Sequence, residues 1–229
     1  MKKITFYFAT TLLMLLSFSS INTYAQAFQK GNWNIDVDLG FGIYATETTS
    51  KISAFGFTVT DTEKDGTASS VFRIGAEYGI SNKIGIGIKI GASNYFIAEE
   101  DKDTLKSVKS TDFAIHFNFH LLKADKNDLF LTLGLGGTSA NWEYQTDPAI
   151  FLESASGKGG YFTLGITDRI FFSDNIGMLF SLNFPMMSIN VEPKLVDNAN
   201  NFLSGVDYTW DMDMKLRGVY LGTGLAIKF

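Results

Sequence analysis

The two histidines are the side chains best suited to acid–base or metal chemistry. His116 and His120 alternate with Asn118, and Asp112 has the same parity, so a strand would place all of them on one face. Such a set suggests a metal site or a histidine-based triad. Positions four apart on a strand are separated by roughly 13 Å, however, which is too far for both histidines to bind one metal ion. His116 could still meet a serine or aspartate from a neighbouring strand, although no local serine motif indicates one.

Other chemistries find less support in the composition. The chain contains no cysteine, which excludes thiol catalysis and cysteine metal sites. The acidic clusters at 99–103 and 61–65 lack the glycine-turned spacing of an EF-hand calcium loop. The net charge of −5 and the lack of a basic patch argue against nucleic acid as a partner. We therefore expect no cofactor, no metal and no enzymatic activity.

The elements that position these residues are indicated by alternation with a period of two. From Trp33 to Ile43 the odd positions are large and apolar, while the even positions carry Asn34, Asp36, Asp38 and glycine. The pattern recurs about eight times with turn residues between the runs. The later apolar runs lie at Phe72–Ile80, Ile84–Ala92, Phe113–Leu121, Leu129–Leu135, Phe162–Ile166, Ile176–Phe184 and Val219–Phe229. In the sixth run Asp168 falls on the apolar parity, which indicates a bulge or a strand end.

Alternation alone does not say which face is outside, and a soluble ligand-binding barrel of lipocalin type is the alternative. The placement of glycine distinguishes a membrane barrel from a soluble one, because most of the 22 glycines have the polar parity. The interior of an eight-stranded barrel is just wide enough for side chains and favours a mixture of small and large residues. The polar face is therefore interior, and the Ile, Leu and Phe face contacts lipid. The pattern predicts an all-β, eight-stranded, antiparallel up-and-down transmembrane β-barrel.

The connections alternate between short and long, as in outer-membrane barrels. Short turns are predicted at 81–83, 123–128 and 173–175, and we assign them to the periplasm. Long connections are predicted at 46–69, 97–110, 139–158 and 192–208, and we assign these acidic segments to the cell exterior. Aromatic residues suited to a periplasmic interfacial girdle are Trp33, Tyr78, Phe119, Phe172 and Phe229.

The first 25 residues have the features of a secretory signal peptide. Lys2 and Lys3 precede an apolar run around Leu12 to Leu16, which is too short to span a bilayer. Small residues before Gln26 predict cleavage there, and a cut after Ala27 would satisfy the same rule. We expect residues 1–25 to be the signal peptide and 26–229 to be the barrel domain.

The inward face carries a set of polar side chains that we interpret as a structural network. Its members are Asp36, Asp38, Arg73, Glu77, Lys89, Asp112, His116 and His120. If Ile80 and Ile84 flank the first turn, Lys89 lies opposite Gly75 and diagonal to Glu77. This register predicts an ion pair between Glu77 and Lys89, with hydration by trapped lumen water as the alternative.

The strand–turn–strand segments Arg73–Lys89 and Thr167–Leu182, with the closing sequence Gly-Val-Tyr-Leu-Gly-Thr-Gly-Leu-Ala-Ile-Lys-Phe, resemble the small outer-membrane β-barrel proteins. The resemblance is to the OmpA transmembrane domain and OmpX, and it spans about Asn32 to Phe229. It implies location in the outer membrane of a Gram-negative bacterium, in contact with its lipids and lipopolysaccharide. The terminal Phe229 resembles the signature that the barrel assembly machinery recognises.

Two classes of function follow from this interpretation. The first is a structural or interaction barrel whose acidic loops act in surface recognition, adhesion or an envelope complex with an unidentified protein. The alternative is a narrow channel or a lipid A-modifying enzyme. A serine or aspartate beside His116 near the outer rim would favour the enzyme, and a continuous water-filled lumen would favour the channel.

Overall fold

The computed structural model describes residues 27–122, 124–145, 152–195 and 208–229. The predicted leader, and the parts of the predicted connections at 123, 146–151 and 196–207, lie outside these ranges. The strands are β1 (Trp33–Ala54), β2 (Phe57–Gly79), β3 (Ile84–Tyr95), β4 (Leu105–His120), β5 (Asn127–Tyr144), β6 (Leu152–Phe171), β7 (Ile176–Leu195) and β8 (Tyr208–Lys228). A short 3-10 turn at Glu99–Asp101 lies between β3 and β4.

Each strand pairs antiparallel with its sequence neighbours, and β8 closes the sheet against β1. The predicted eight-stranded up-and-down barrel is thereby confirmed. Closure gives the strands no open edge through the apolar belt, so their backbone groups are satisfied within the sheet. Within the described ranges, no helix has the length and hydropathy that a membrane crossing needs.

Burial follows the alternation closely. On β3 every second residue is exposed, from Ile84 to Ile90, and the residues between are buried or half-buried. On β4 the exposed residues Phe113, Ile115, Phe117 and Phe119 alternate with buried residues that are polar except for Ala114. Large apolar side chains thus form a continuous exterior belt, and the polar and glycine positions line the lumen.

The strands on the outer side are longer than the alternation predicted. The segment 46–69, expected as a loop, is instead a hairpin that continues β1 and β2 to a turn at Phe55 and Gly56. Similarly, β5 continues to Tyr144 and β7 to Leu195. The alternation signal weakens there because residues above the bilayer need not be apolar on either face.

Strand β6 is continuous through Asp168, so the expected bulge or strand end at this residue is wrong. Asp168 pairs with Leu129 on β5 and Phe180 on β7 without interruption of the register. The register shift in β6 lies instead between Leu152 and Ser154. Asp168 is therefore a carboxylate on the otherwise apolar exterior face, and the backbone pairing continues through it unchanged.

Two chemically different halves make up the lumen. Toward the termini it contains charged side chains, among them Asp36, Glu77 and Arg169. Toward the outer end the buried residues form an apolar and aromatic cluster. Its members are Tyr44, Tyr95, Ala114, Ala140, Trp142, Ala155, Tyr161, Met187, Ile189, Val191 and Leu216.

Candidate functional site

The centre of the periplasmic half is Arg169 on β6, whose guanidinium binds carboxylates from three other strands. Its Nε donates to Asp36 Oδ1 at 2.9 Å and its Nη2 to Asp36 Oδ2 at 2.7 Å. Nη1 donates to Asp128 Oδ2 at 3.0 Å, and Nη2 lies 2.7 Å from Glu77 Oε2. The guanidinium also lies 4.4 Å from the ring centroid of Phe130. Because its donors form a planar fork, arginine can hold several acceptors at once in a fixed geometry.

His120 joins the same cluster from β4. Its Nδ1 lies 2.5 Å from Asp128 Oδ1 and its Nε2 lies 3.0 Å from Glu77 Oε1. Asn118 Nδ2 donates to the same Glu77 oxygen at 2.7 Å and is itself held by Thr132 at 2.8 Å. Both ring nitrogens therefore lie within hydrogen-bond distance of a carboxylate, and His120 links Asp128 to Glu77.

The segment before β1 covers this cluster from the periplasmic side. The Phe28 ring stacks on the His120 ring with centroids 3.3 Å apart and an interplanar angle of 7°. Ala27 N–H donates to the Ala124 carbonyl at 3.2 Å, and Lys30 N–H donates to Asn82 Oδ1 at 3.0 Å. Ala27 and Phe28 are buried. The segment is thus anchored to two periplasmic turns with its aromatic ring facing the lumen.

A second polar cluster lies above the first. Tyr220 Oη on β8 donates to Asp38 Oδ1 at 2.7 Å, and Lys89 Nζ lies 3.8 Å from Asp38 Oδ2. The Arg73 guanidinium carbon lies 3.8 Å from the Tyr220 ring centroid, which is a cation–π contact. The cluster therefore links β1, β2, β3 and β8.

The expected ion pair between Glu77 and Lys89 is wrong, although the register that suggested it is right. Lys89 lies opposite Gly75, as the turn geometry predicted. Glu77 instead pairs with Arg169 and His120, and Lys89 turns to Asp38. The reason is that the lumen is narrow enough for side chains to reach strands that are not adjacent, so partners across the barrel compete with diagonal neighbours.

Asp112 and His116 are the remaining members of the predicted network. Both are buried on the lumen face of β4. His116 lies opposite Gly87 on one side and Gly134 on the other, so neither cross-strand neighbour carries a nucleophile. In the parts of the chain that the structure describes, no group of three or more His, Asp or Glu side chains could hold a metal ion.

The residues missed at the level of sequence are Arg169, Asp128 and Tyr220. Arg169 has the lumen parity of Thr163, Gly165 and Thr167, so continuing the alternation through Asp168 would have placed it inside. Asp128 could have been found in the same way, by continuing the run from Leu129 one residue back. Tyr220 also has the lumen parity in the run Val219–Phe229, but no pattern in the sequence links it to Asp38.

The predicted assembly residue Phe229 lies beside the first strand. Its N–H donates to the Trp33 carbonyl at 2.9 Å, and its carbonyl accepts from Trp33 N–H at 3.2 Å. Trp33 in turn lies beside Tyr78, with ring centroids 5.1 Å apart. Aromatic residues therefore gather where the barrel closes at its periplasmic end.

No protein-family model matches this chain, and no curated protein matches it in sequence. Among solved structures it is similar to the outer membrane protein OprG from Pseudomonas aeruginosa, with a TM-score of 0.58 and 13% identity, over 88% of this chain and 97% of that one. The outer membrane protein AlkL has a TM-score of 0.49 and 12% identity, over 92% of this chain and 96% of that one. Neisserial surface protein A has a TM-score of 0.45 and 14% identity, over 82% and 97%.

At these identities the OprG similarity shows the fold, which is that of the small outer-membrane β-barrels. The exterior of this chain agrees with that fold, because exposed Ile, Leu and Phe side chains surround the barrel. Such a surface is stable in lipid and not in water. The chain is therefore located in the bacterial outer membrane.

Proposed function

We propose that this chain is a sealed outer-membrane barrel that presents an extended outer sheet for recognition or adhesion at the cell surface, or within an envelope complex. The observation that carries the proposal is the Arg169 cluster. Arg169 and its partner Asp128 have no measurable exposure, and Asp36 and Glu77 are also buried. A conducting pore would need hydrated side chains at this level, whereas these charges are paired with one another.

Phe28 supports the same conclusion from below. Its ring lies flat on His120 and the residue is 2% exposed, so an apolar ring covers the cluster at His120. Polar groups that are both mutually bonded and covered form a plug. The barrel would then serve as a support for what lies above the membrane.

The recognition surface that we propose is the hairpin of β1 and β2. Beyond Ile43 it continues for roughly 35 Å of strand, at about 3.3 Å per residue. Its tip exposes Phe55, Phe57 and Val59, which are 77%, 78% and 68% accessible. Phe55 also has a φ of +54°, a left-handed conformation that Asn or Gly adopts more easily. An aromatic residue that is both exposed and strained is better explained by recognition than by folding.

We further propose that the chain is related to the OmpA transmembrane domain and OmpX and has no enzymatic activity. The glycines opposite His116 support the proposed lack of enzymatic activity, because they supply no nucleophile. Outer-membrane lipids, lipopolysaccharide and the barrel assembly machinery, through Phe229, are the general partners expected for such a barrel. The specific partner would be a surface or envelope protein.

The experiment that tests the seal uses the full barrel refolded in detergent and inserted in planar bilayers. Heat-modifiable gel migration establishes that the barrel is folded, and single-channel recording then measures conductance. We expect a band shift without steady conductance. A folded protein with steady conductance in most insertions would overturn the proposal.

We also propose that residues 1–25 are removed on export. Cleavage before Gln26 leaves Ala27 in place, and Ala27 is buried and donates a hydrogen bond to Ala124. Cleavage after Ala27 would lose that bond and place a charged amino group at Phe28, beneath the plug. Intact-mass measurement of the protein from outer membranes should give Gln26 as the first residue, and a protein beginning at Phe28 would contradict this.

A further inference from the structure

A cavity of about 370 Å³ lies in the outer half of the lumen, separate from the charged plug. Its inner surface is apolar and is formed by side chains of β5, β7 and β8. The main contributors are Trp142, Ile189, Met212, Met214 and Leu216. Its size falls within the range of about 300 to 1,000 Å³ that is typical of sites for small molecules.

The wall beside this cavity is interrupted. The ladder between β2 and β3 ends at Ser69 and Tyr95, whereas the ladder between β1 and β2 continues to Ala54 and Phe57. Beyond Tyr95 one further hydrogen bond follows, from Phe96 N–H to the Ala68 carbonyl at 2.8 Å. Residues on both sides of this interruption line the cavity. A molecule could therefore enter from outside without crossing the plug.

The charged side chains that line the cavity all carry the same sign. They are Glu63 and Asp65 on β2 and Asp101 in the connection before β4. The basic residues nearest to them in sequence are engaged elsewhere, since Lys64 pairs with Glu47 at 3.7 Å and Lys102 pairs with Glu99 at 2.5 Å. Among the described residues, no lysine, arginine or histidine lines this cavity.

Aromatic rings lie between the acidic rim and the apolar floor. Tyr95, Trp142 and Tyr144 line the cavity, and Tyr95 is held by a 3.3 Å hydrogen bond between its hydroxyl and that of Ser110. Aromatic faces attract cations, most strongly for tryptophan. Methionine at the floor adapts to ligands of irregular shape, because its side chain is unbranched and polarisable.

We propose that this cavity binds a small organic cation with an apolar or aromatic body. The body packs on the floor of Trp142, Met212 and Met214, and the ammonium group faces Glu63 and Asp65. A purely apolar molecule would leave the acidic rim unused, and an anion would be repelled by it. This inference goes beyond the recognition role and does not depend on it, since the cavity and the hairpin tip are different surfaces.

The test compares three probes of one shape: 4-phenylbutylammonium, 4-phenylbutan-1-ol and 4-phenylbutyrate. Each is titrated by calorimetry into the refolded barrel in an uncharged maltoside detergent, with the heat of detergent alone subtracted. We expect the ammonium probe to bind about tenfold more tightly than the alcohol, and the carboxylate more weakly than both. Equal affinities, or no binding of the ammonium probe, would overturn the proposal.

Variants locate the site. The double substitution E63Q/D65N should remove the preference for the ammonium probe and leave binding of the alcohol unchanged. A140F should weaken the binding of both probes, because the larger side chain fills the floor of the cavity. E143Q is the matched control, because Glu143 lies on the exposed outer face of β5. In a W33F/W210F background, Trp142 is the sole tryptophan, and its fluorescence should change on binding. Heat-modifiable migration confirms that each variant folds, and a preference that survives E63Q/D65N would contradict the assignment.

Discussion

Arg169 on β6 and Asp36 on β1 form a two-point ion pair across the barrel, with N···O distances of 2.9 and 2.7 Å. The two strands are not neighbours in the sheet, because β7 and β8 lie between them, so this pair spans the lumen. The same guanidinium binds Asp128 on β5 and approaches Glu77 on β2. One side chain therefore ties the neighbouring strands β5 and β6 to the neighbouring strands β1 and β2.

Replacing Arg169 with alanine should destabilise the barrel strongly. The change leaves buried carboxylates without their shared partner, and breaking a buried pair in this way costs about 3 to 5 kcal/mol. Guanidinium unfolding of the refolded protein, followed by the heat-modifiable band shift, measures the loss. K106A is the control, because Lys106 and Glu143 form an exposed pair at 3.8 Å that should contribute less than about 1 kcal/mol. Equal losses in the two variants would argue against a structural role for the cluster.

Replacing Phe28 with alanine should loosen the periplasmic cover. The ring is buried against His120, and removing a buried phenylalanine side chain costs about 3 kcal/mol. The free energy of unfolding should fall by that order, and brief current openings should appear in bilayer recordings. Q29A tests whether any change in this segment has the same effect, since Gln29 does not stack on the cluster. An F28A barrel with an unchanged free energy of unfolding and no current openings would show that the ring is not part of the seal.

Replacing Gly222 with valine should disturb the upper polar cluster. A Cβ at this position would lie 2.3 Å from Tyr220 Oη, the group that donates to Asp38. Overpacking of this kind costs about 1 to 3 kcal/mol. G160V is the matched control, because nothing lies within 4 Å of a Cβ there.

A double-mutant cycle identifies the cause of that loss. If the clash with Tyr220 is responsible, G222V should cost much less in a Y220A background than in the natural sequence. Unfolding in guanidinium gives the four free energies. An unchanged cost would show that the backbone, and not the tyrosine, rejects the larger residue.

Replacing Phe55 with asparagine should stabilise the outer hairpin while removing an exposed aromatic ring. Phe55 precedes Gly56 in a two-residue turn, and both have positive φ, which asparagine followed by glycine accommodates well. A gain of about 1 kcal/mol in local stability is expected, measured as slower hydrogen exchange of the amides beside the turn. F57N removes a similarly exposed ring without positive φ, so it should show no such gain.

The alternation of apolar with polar or small residues can be read along the chain alone, and it predicts the barrel. The runs at Trp33–Ile43 and Ile84–Ala92 predicted strands with one lipid face because a strand directs side chains to opposite sides regardless of its neighbours. The pairing of Gly75 with Lys89 could also be predicted, because a short turn sets the register of the two strands that it joins. Parity alone could also predict that the side chains of Asp36, Glu77 and His120 face the lumen.

Which lumen residues contact one another depends on the closed barrel. Arg169 binds Asp36 and Glu77 because closure of the sheet brings β1 and β2 within reach of its side chain, whereas Asp128 is its direct neighbour in the ladder between β5 and β6. The cavity near Trp142 likewise depends on how far each ladder continues above the membrane. Such contacts depend on the shape of the closed barrel, and spacing along one strand carries no information about the strand across the lumen.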